Sequence, residues 1–336
     1  MLPSHPAPLS TAAIGSLPHT QLELALQLAL RLDVPTLPQL PRADAAEYML
    51  PQALDGLPGL ISEADGRTAI DPARWQAGAG ALAEKLDRAL EGEGLEAFEP
   101  GETSCRAWKP FVWEVEARHP AFAKVQVTGP LTASWATTLT DGAPLSTRPA
   151  IAAQVVRLVL ARALAMTRAL AGAGTRPILF LDEPGLYAFD RNRPAHRVEL
   201  QELTFAATAL RQAGALVGVH CCGNTDWSAL FELPLDFVSA DARLSLASEL
   251  AAGSSLDAFL ARGGRLALGI IPTNVAERMP VEDLVASALA LMGDKRAAIL
   301  SRSILTPACG LALRTVAETE QVFDDLAQAQ RLLRTV

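Results

Sequence analysis

From Lys124 to the C-terminus the chain repeats one alternation: a short apolar run, then a stretch with helical spacing. The apolar runs are Lys124–Thr128, Pro177–Asp182, Ala215–Val219, Leu235–Ala240, Arg265–Ile270 and Ser303–Thr306. The helical stretches among them are Ile151–Ala171, Glu199–Ala213, Leu246–Ala261, Val281–Met292 and a last one from about Glu318 to Leu333. Strands buried on both faces read as nearly continuous apolar runs, and strands separated by helices imply a parallel sheet. Two more strand candidates lie near the start. Thr11–Pro18 closes on a Gly-Ser-x-Pro turn, and Val34–Pro38 carries prolines that mark where it leaves the sheet, with helical spacing over Gln21–Leu32 between them. Eight such strands with mostly helical crossovers predict an α/β fold of the closed (β/α)8 kind, a TIM barrel, rather than an open sheet. No glycine-rich nucleotide fingerprint follows the first strand, which argues against the open dinucleotide-binding alternative.

The stretch from about 42 to 120 is less regular. It holds a hairpin over Leu60–Ile70 around Asp65-Gly66 and a helix over Ala73–Glu91. No linker sets it apart, so it reads as an elaboration inserted after the second strand of a single domain spanning 1–336. A chain of 336 residues, half of them hydrophobic, suits one barrel with a large core. The formal charge of −8, with no Lys/Arg-rich run, argues against nucleic-acid binding. Four cysteines make no disulfide framework at this size. The first residues lack the charged start and apolar core of a signal peptide. The Ala/Leu-rich stretch Ile151–Ala173 is broken by Arg157, Arg162 and Arg168, so it is expected to be an amphipathic helix on the sheet and not a membrane span. A reducing cytoplasm is the expected compartment.

Barrel active sites lie at the C-terminal ends of the strands. The polar residues there are Ser16, Asp182, Glu183, His220, Cys222, Asp241 and Cys309. His220 and Cys222 are two apart, so in extended chain they face the same way, with Cys221 facing elsewhere. Cys309 follows another strand. Imidazole and thiolates are zinc ligands, and three protein ligands with one exchangeable position characterise zinc sites that do chemistry. Asp241 is a candidate fourth ligand. A thiol with a pKa of about 8.5 is mostly protonated at neutral pH. Bound to zinc it becomes a thiolate, a nucleophile suited to alkyl transfer. Singly, a buried Cys is a small hydrophobe and a strand-end His a hydrogen-bonding core residue; all three at strand ends favour the metal. Asp182 and Glu183 offer a carboxylate to a substrate ammonium, or equally a helix cap. Ile14, Gly15 and Ser16 offer N–H groups and a hydroxyl to a carboxylate, or form an ordinary strand exit. An amino-acid thiol would use all of these.

These motifs resemble the C-terminal catalytic barrel of cobalamin-independent methionine synthase, in the superfamily that includes uroporphyrinogen decarboxylase. Ile14-Gly-Ser-Leu-Pro-His-Thr20, Val127-Thr-Gly-Pro130, Asp182-Glu-Pro184, His220-Cys-Cys222 and Cys309-Gly-Leu311 are similar to five family motifs in order and spacing, across nearly the whole chain. The resemblance implies a zinc-dependent methyltransferase that converts homocysteine to methionine. His220, Cys222 and Cys309 would bind zinc, Ile14, Gly15 and Ser16 would hold the acceptor carboxylate, and Asp182 its ammonium. Glu47 would be a further substrate contact. Where the family has a Glu ligand, this chain offers Asp241. The family's basic folate-contacting positions are not evident, so the short, single-barrel form is implied, with methyl-folate or a methyl-corrinoid, free or protein-bound, as donor. Two alternatives stand beside this. A decarboxylase-like lyase would need arginines near the first strand, where Arg42 is the only candidate; a non-catalytic zinc- or thiol-binding barrel would need no donor.

Overall fold

The computed structural model describes residues 2–274, 276 and 278–336. In chain order its regular elements begin with helices α1 (Leu22–Ala29) and α2 (Met49–Leu54), strands β1 (Leu60–Ser62) and β2 (Thr68–Ile70), and helices α3 (Pro72–Leu90) and α4 (Trp108–Arg118). Then come β3 (Phe122–Thr128), α5 (Pro130–Ala136), β4 (Thr138–Leu139), α6 (Pro149–Gly172), β5 (Arg176–Asp182), α7 (Pro194–Gln212), β6 (Leu216–His220) and α8 (Trp227–Glu232). The chain closes with β7 (Phe237–Asp241), α9 (Ala242–Ala251), α10 (Ser254–Ala261), β8 (Arg265–Ile271), α11 (Val281–Met292), α12 (Arg296–Leu300), β9 (Ser303–Pro307) and α13 (Val316–Leu333).

Six of the eight expected strands form one curled parallel sheet, in the order β3-β5-β6-β7-β8-β9. The two N-terminal candidates do not form regular ladders. They make isolated bridges instead: Thr11 pairs with Leu305, Thr36 with Lys124, and Ser16 with Gln39. Prolines explain this, because Pro35 and Pro38 have no N–H to donate to a ladder. Backbone bonds nevertheless run between β9 and β3 through these segments. Ala12 N–H donates to Leu305 C=O (2.9 Å), Val34 N–H to Thr11 C=O (3.0 Å) and Leu37 N–H to Lys124 C=O (2.9 Å).

Side chains alternate between faces of each strand. Ala123, Val125, Val127, Leu179, Leu181, Val217 and Val219 belong to the large core that also includes the helices. The alternate residues Phe122, Ile178, Phe180, Leu216, Phe237, Ala267 and Ile304, with Ala12 and Val34, form a second cluster inside the curl. Followed toward the strand C-termini, this inner face turns polar: Phe122 leads to Lys124 and Gln126, Phe180 to Asp182, Leu216 to His220, and Phe237 to Ser239. The sheet therefore gathers polar groups at one end by periodicity alone.

The irregular stretch folds against the sheet. β1 and β2 form the expected hairpin, and β4 pairs with β2 in parallel. Asp71 caps α3, accepting from the N–H groups of Ala73 and Arg74, with Pro72 at the first helical position. Two helical expectations need correction. The helix expected over Leu246–Ala261 is two helices, broken at Gly253, whose φ of +54° lies in the left-handed region. α6 is not amphipathic at Arg162, which is buried and donates to the carbonyls of Gln52 (2.9 Å) and Asp55 (2.5 Å). α6 is also the one helix, among the described residues, long and apolar enough to cross a membrane; two-thirds of its apolar window (67%) is buried against the rest of the fold, as in a core helix.

Candidate metal centre and acceptor pocket

β6 delivers His220 at the end of the inner face, after Leu216 and Gly218. Gly218 must be small: a Cβ there would stand 2.6 Å from the Phe180 ring. His220 is buried, and its Nδ1 lies 3.0 Å from Oγ of Ser239 on β7. Its Nε2 is buried with no partner in the protein. Cys222 follows two residues later, and Cys309 comes from the turn after β9. The ligand atoms of His220, Cys222 and Cys309 all lie within 4.8 Å of one another. Hydrogen bonds from the Cys309 thiol and His220 hold the Cys222 thiol well below its usual range, while Cys309, hydrogen-bonded to Cys222 and partly buried, is pushed up and keeps its proton. Cys221 points away and donates to Gly223 C=O (3.3 Å), and Cys105 is buried elsewhere.

Asp241 ends β7 and has a structural task. Its Oδ1 accepts from the N–H groups of Arg243 (2.9 Å) and Leu244 (3.2 Å), capping α9. The cluster of possible ligands found among the described residues comprises His220, Cys222 and Cys309 without it.

Asp182 pairs in register with His220 across β5 and β6. It is 8% exposed, and its Oδ1 is buried without a partner. Burial lifts its carboxyl to about 6, opposed by the Lys124 ammonium and His220. Its neighbour Glu183 turns the other way and holds the start of α5, accepting from the N–H groups of Leu131 (3.0 Å) and Thr132 (2.6 Å). The adjacent carboxylates thus divide the two readings of the motif between them: one faces the pocket, the other caps a helix.

Ile14, Gly15 and Ser16 leave the first N-terminal segment beside this cluster. Gly15 has φ +145°, and a Cβ on it would fall 2.1 Å from the Gln126 amide nitrogen. Ser16 locks onto the Cys309 turn: Leu311 N–H donates to its C=O (2.8 Å), and a Cβ on Gly310 would lie 2.1 Å from its Oγ. Glu47 is fully buried, and both its carboxylate oxygens are engaged. Oε2 accepts from Leu40 N–H (2.8 Å) and Oε1 from Arg106 Nε (2.6 Å). A cavity of about 250 Å³ opens here, lined by Ile14, Ser16, Glu47, Asp182, His220, Cys222 and Cys309, with Tyr48, Met49 and Leu313 as apolar wall. A larger cavity of about 600 Å³ between α5, α6 and α7 contains none of the candidate residues.

Two residues that the sequence reading did not single out support this pocket. Ser239 fixes the His220 ring. Lys124, 1% exposed inside the curl, donates through Nζ to Ile14 C=O (2.8 Å) and Gln126 Oε1 (3.2 Å) and lies 4.8 Å from the Phe180 ring centre. Gln126 in turn donates to Leu37 C=O (2.9 Å). Burial lowers the Lys124 pKa to about 8, against the pull of Asp182. The signal was parity: Lys124 and Gln126 share the inner face with Phe122.

A tetrahedral zinc holds nitrogen and sulfur ligands at about 2.0–2.3 Å, which places the donors roughly 3.3–3.8 Å from one another. The donor set therefore fits zinc after closing by at most about 1.5 Å, and the unpartnered Nε2 of His220 is a ready ligand.

No family model matches the chain, and no curated protein matches it in sequence. Among solved structures it is similar to a Listeria monocytogenes protein named provisionally as a vitamin-B12 independent methionine synthase. The two share 15% identity over 99% of each chain, with a TM-score of 0.57. At that identity the likeness establishes a common fold.

Proposed function

We propose that this chain is a zinc-dependent S-methyltransferase whose acceptor is an amino-acid thiol, homocysteine, with methionine as product. The observation that carries the reading is the convergence of one imidazole and two thiols on a pocket whose wall also presents the buried, unpartnered carboxylate of Asp182. A zinc ion held by His220, Cys222 and Cys309 would supply a lowered thiol pKa, so that the acceptor sulfur is charged at neutral pH. Ser239 orients His220 so that Nε2 serves as ligand. Asp182 takes the acceptor ammonium, and Ile14, Gly15 and Ser16 face its carboxylate. Lys124 holds the Ile14 carbonyl and so fixes that turn. Glu47, saturated by Leu40 and Arg106, holds the pocket wall, and Asp241 serves first as the α9 cap. The name of the Listeria structure points the same way.

The same reading completes the architecture. Residues 11–18 and 34–38 are the first two staves of a closed (β/α)8 barrel, in one domain spanning 1–336 with residues from about 42 to 120 as its elaboration. The four cysteines are unpaired, and a reducing cytoplasm keeps them so. The lyase alternative needs arginines at the pocket. No arginine lines it among the described residues, and Arg42 donates to Ala312 C=O (2.9 Å).

The test is methyl transfer to homocysteine by zinc-loaded protein, supplied in turn with methyl-tetrahydrofolate and with a methyl-corrinoid. Methionine formed from either donor supports the reading and identifies the donor. No methionine from either would transfer the site to a non-catalytic, thiol-binding role.

A further inference from the structure

The end of the sheet opposite the metal centre carries a second concentration of charge. Arg176 is the first residue of β5, Arg265 the first of β8, and Arg302 immediately precedes β9. Each stands two residues before a member of the inner cluster: Ile178, Ala267 and Ile304. Strand parity therefore places all three guanidiniums in one layer beneath that cluster. His5 packs among them; burial and the charges of Arg265, Arg176 and Arg302 depress its basicity. Arg211 and Arg262 join from the flank. Among the described residues, the carboxylate that pairs with this group is Asp236, and its Oδ2 is occupied by Val217 N–H (2.9 Å) and Arg211 Nε (3.2 Å).

The other partners are neutral. Arg176 donates to Ser4 C=O (2.7 Å), Arg262 to Leu233 C=O (2.6 Å), and Arg302 to Leu260 C=O. Arg265 keeps Nε and Nη1 buried with no acceptor. Among the described residues, five guanidiniums thus gather around the carboxylate of Asp236 in a chain whose net charge is −8. Like charges gathered at a partly buried site oppose folding unless an anion neutralises them, and guanidinium is the group best matched to oxyanions. A cavity of about 300 Å³, lined by Arg176, Arg211, Thr208, Gln212 and Asp236, opens beside the cluster.

We propose that this arginine cluster at the N-terminal end of the sheet is a binding site for a multivalent oxyanion, a phosphate group free or carried on a small molecule. β5 alone spans roughly 20 Å from Arg176 to Asp182, so the site is separate from the metal pocket and can be filled while that pocket is in use.

The experiment is thermal unfolding and titration calorimetry of the whole chain in phosphate-free buffer. Inorganic phosphate and glycerol 3-phosphate are the probes, against chloride at matched ionic strength. Saturable binding of either probe is expected. It should raise Tm by about 2 °C at some tenfold excess over the dissociation constant. The tighter probe tells free phosphate from a phosphorylated metabolite. Arg265→Gln and Arg302→Gln, measured separately so that one can serve if the other does not fold, should lose that shift. Each should also unfold no earlier than wild type in the anion-free buffer, because each removes a repelling charge. No saturable phosphate effect in the wild type, or a shift that both variants retain in full, would overturn the assignment.

Discussion

Ser239→Ala probes the metal centre without touching a ligand. For Nε2 of His220 to face Cys222 and Cys309 as a lone-pair donor, Nδ1 must carry the ring proton and donate it to Ser239 Oγ, 3.0 Å away. Both residues are buried, His220 at 4% and Ser239 at 0% exposure, so water does not replace the lost hydroxyl easily. The orphaned N–H costs about 1–3 kcal/mol, and the ring is free to turn or change tautomer. Groups that orient metal-bound histidines contribute about 10–100-fold to metal affinity, which is about 1.4–2.7 kcal/mol. The assay is competition for zinc against a chromophoric chelator near neutral pH, with thermal unfolding as a control for folding. A folded variant that binds zinc as tightly as wild type would refute the argument that Ser239 fixes the ligand.

Three further outcomes follow from the same geometry. Asp182→Asn should raise the KM for homocysteine about 10–100-fold, the worth of one charge-assisted bond, while zinc content stays unchanged; unaltered acceptor kinetics would remove Asp182 from the site. Gly218→Ala drives a Cβ to 2.6 Å from the Phe180 ring and should cost about 1–3 kcal/mol in urea unfolding, with wild-type stability showing that the ring can move aside. The folded-state pKa of Lys124 is lowered to about 8, so between there and the unfolded value of 10.5 the unfolded chain binds the extra proton. Wild type should therefore gain about 3 kcal/mol on Lys124→Met as pH rises through that window; parallel stability curves for the two proteins would show that the ammonium is not buried in this way.

The parts of the fold legible in the sequence were those with one dominant signal. β3 and β5–β9 are apolar runs separated by helices, and the pairing of His220 with Cys222 follows from period-2 geometry. The parts that escaped had competing signals. The N-terminal segments have the composition of strands, but Pro35 and Pro38 remove ladder donors, so only single bridges form. The break at Gly253 lies inside a periodic helical pattern, where a glycine in the left-handed region cannot be told from a tolerated one. Because that helix was expected to begin at Leu246 and begins at Ala242, the capping position of Asp241 was hidden behind its candidacy as a ligand. Lys124 and Ser239 were passed over because neither type announces its role. A lysine in a strand usually faces solvent, and a serine takes any hydrogen-bond partner; only the register of β3 and β7 shows what they touch. Asp182 and Glu183 could not be separated until the curl of the sheet sent one to the pocket and the other to α5.

The proposed chemistry rests on His220, Cys222 and Cys309, which would hold a zinc ion that lowers the pKa of the acceptor thiol. Elemental analysis of wild type and Cys309→Ala, joined to X-ray absorption at the zinc edge with and without homocysteine, tests it most directly. One zinc per wild-type chain is expected, lost or weakened in Cys309→Ala, with one added sulfur neighbour when homocysteine binds. A folded wild type that takes up no zinc, or a zinc whose sulfur count does not change with homocysteine, would contradict it.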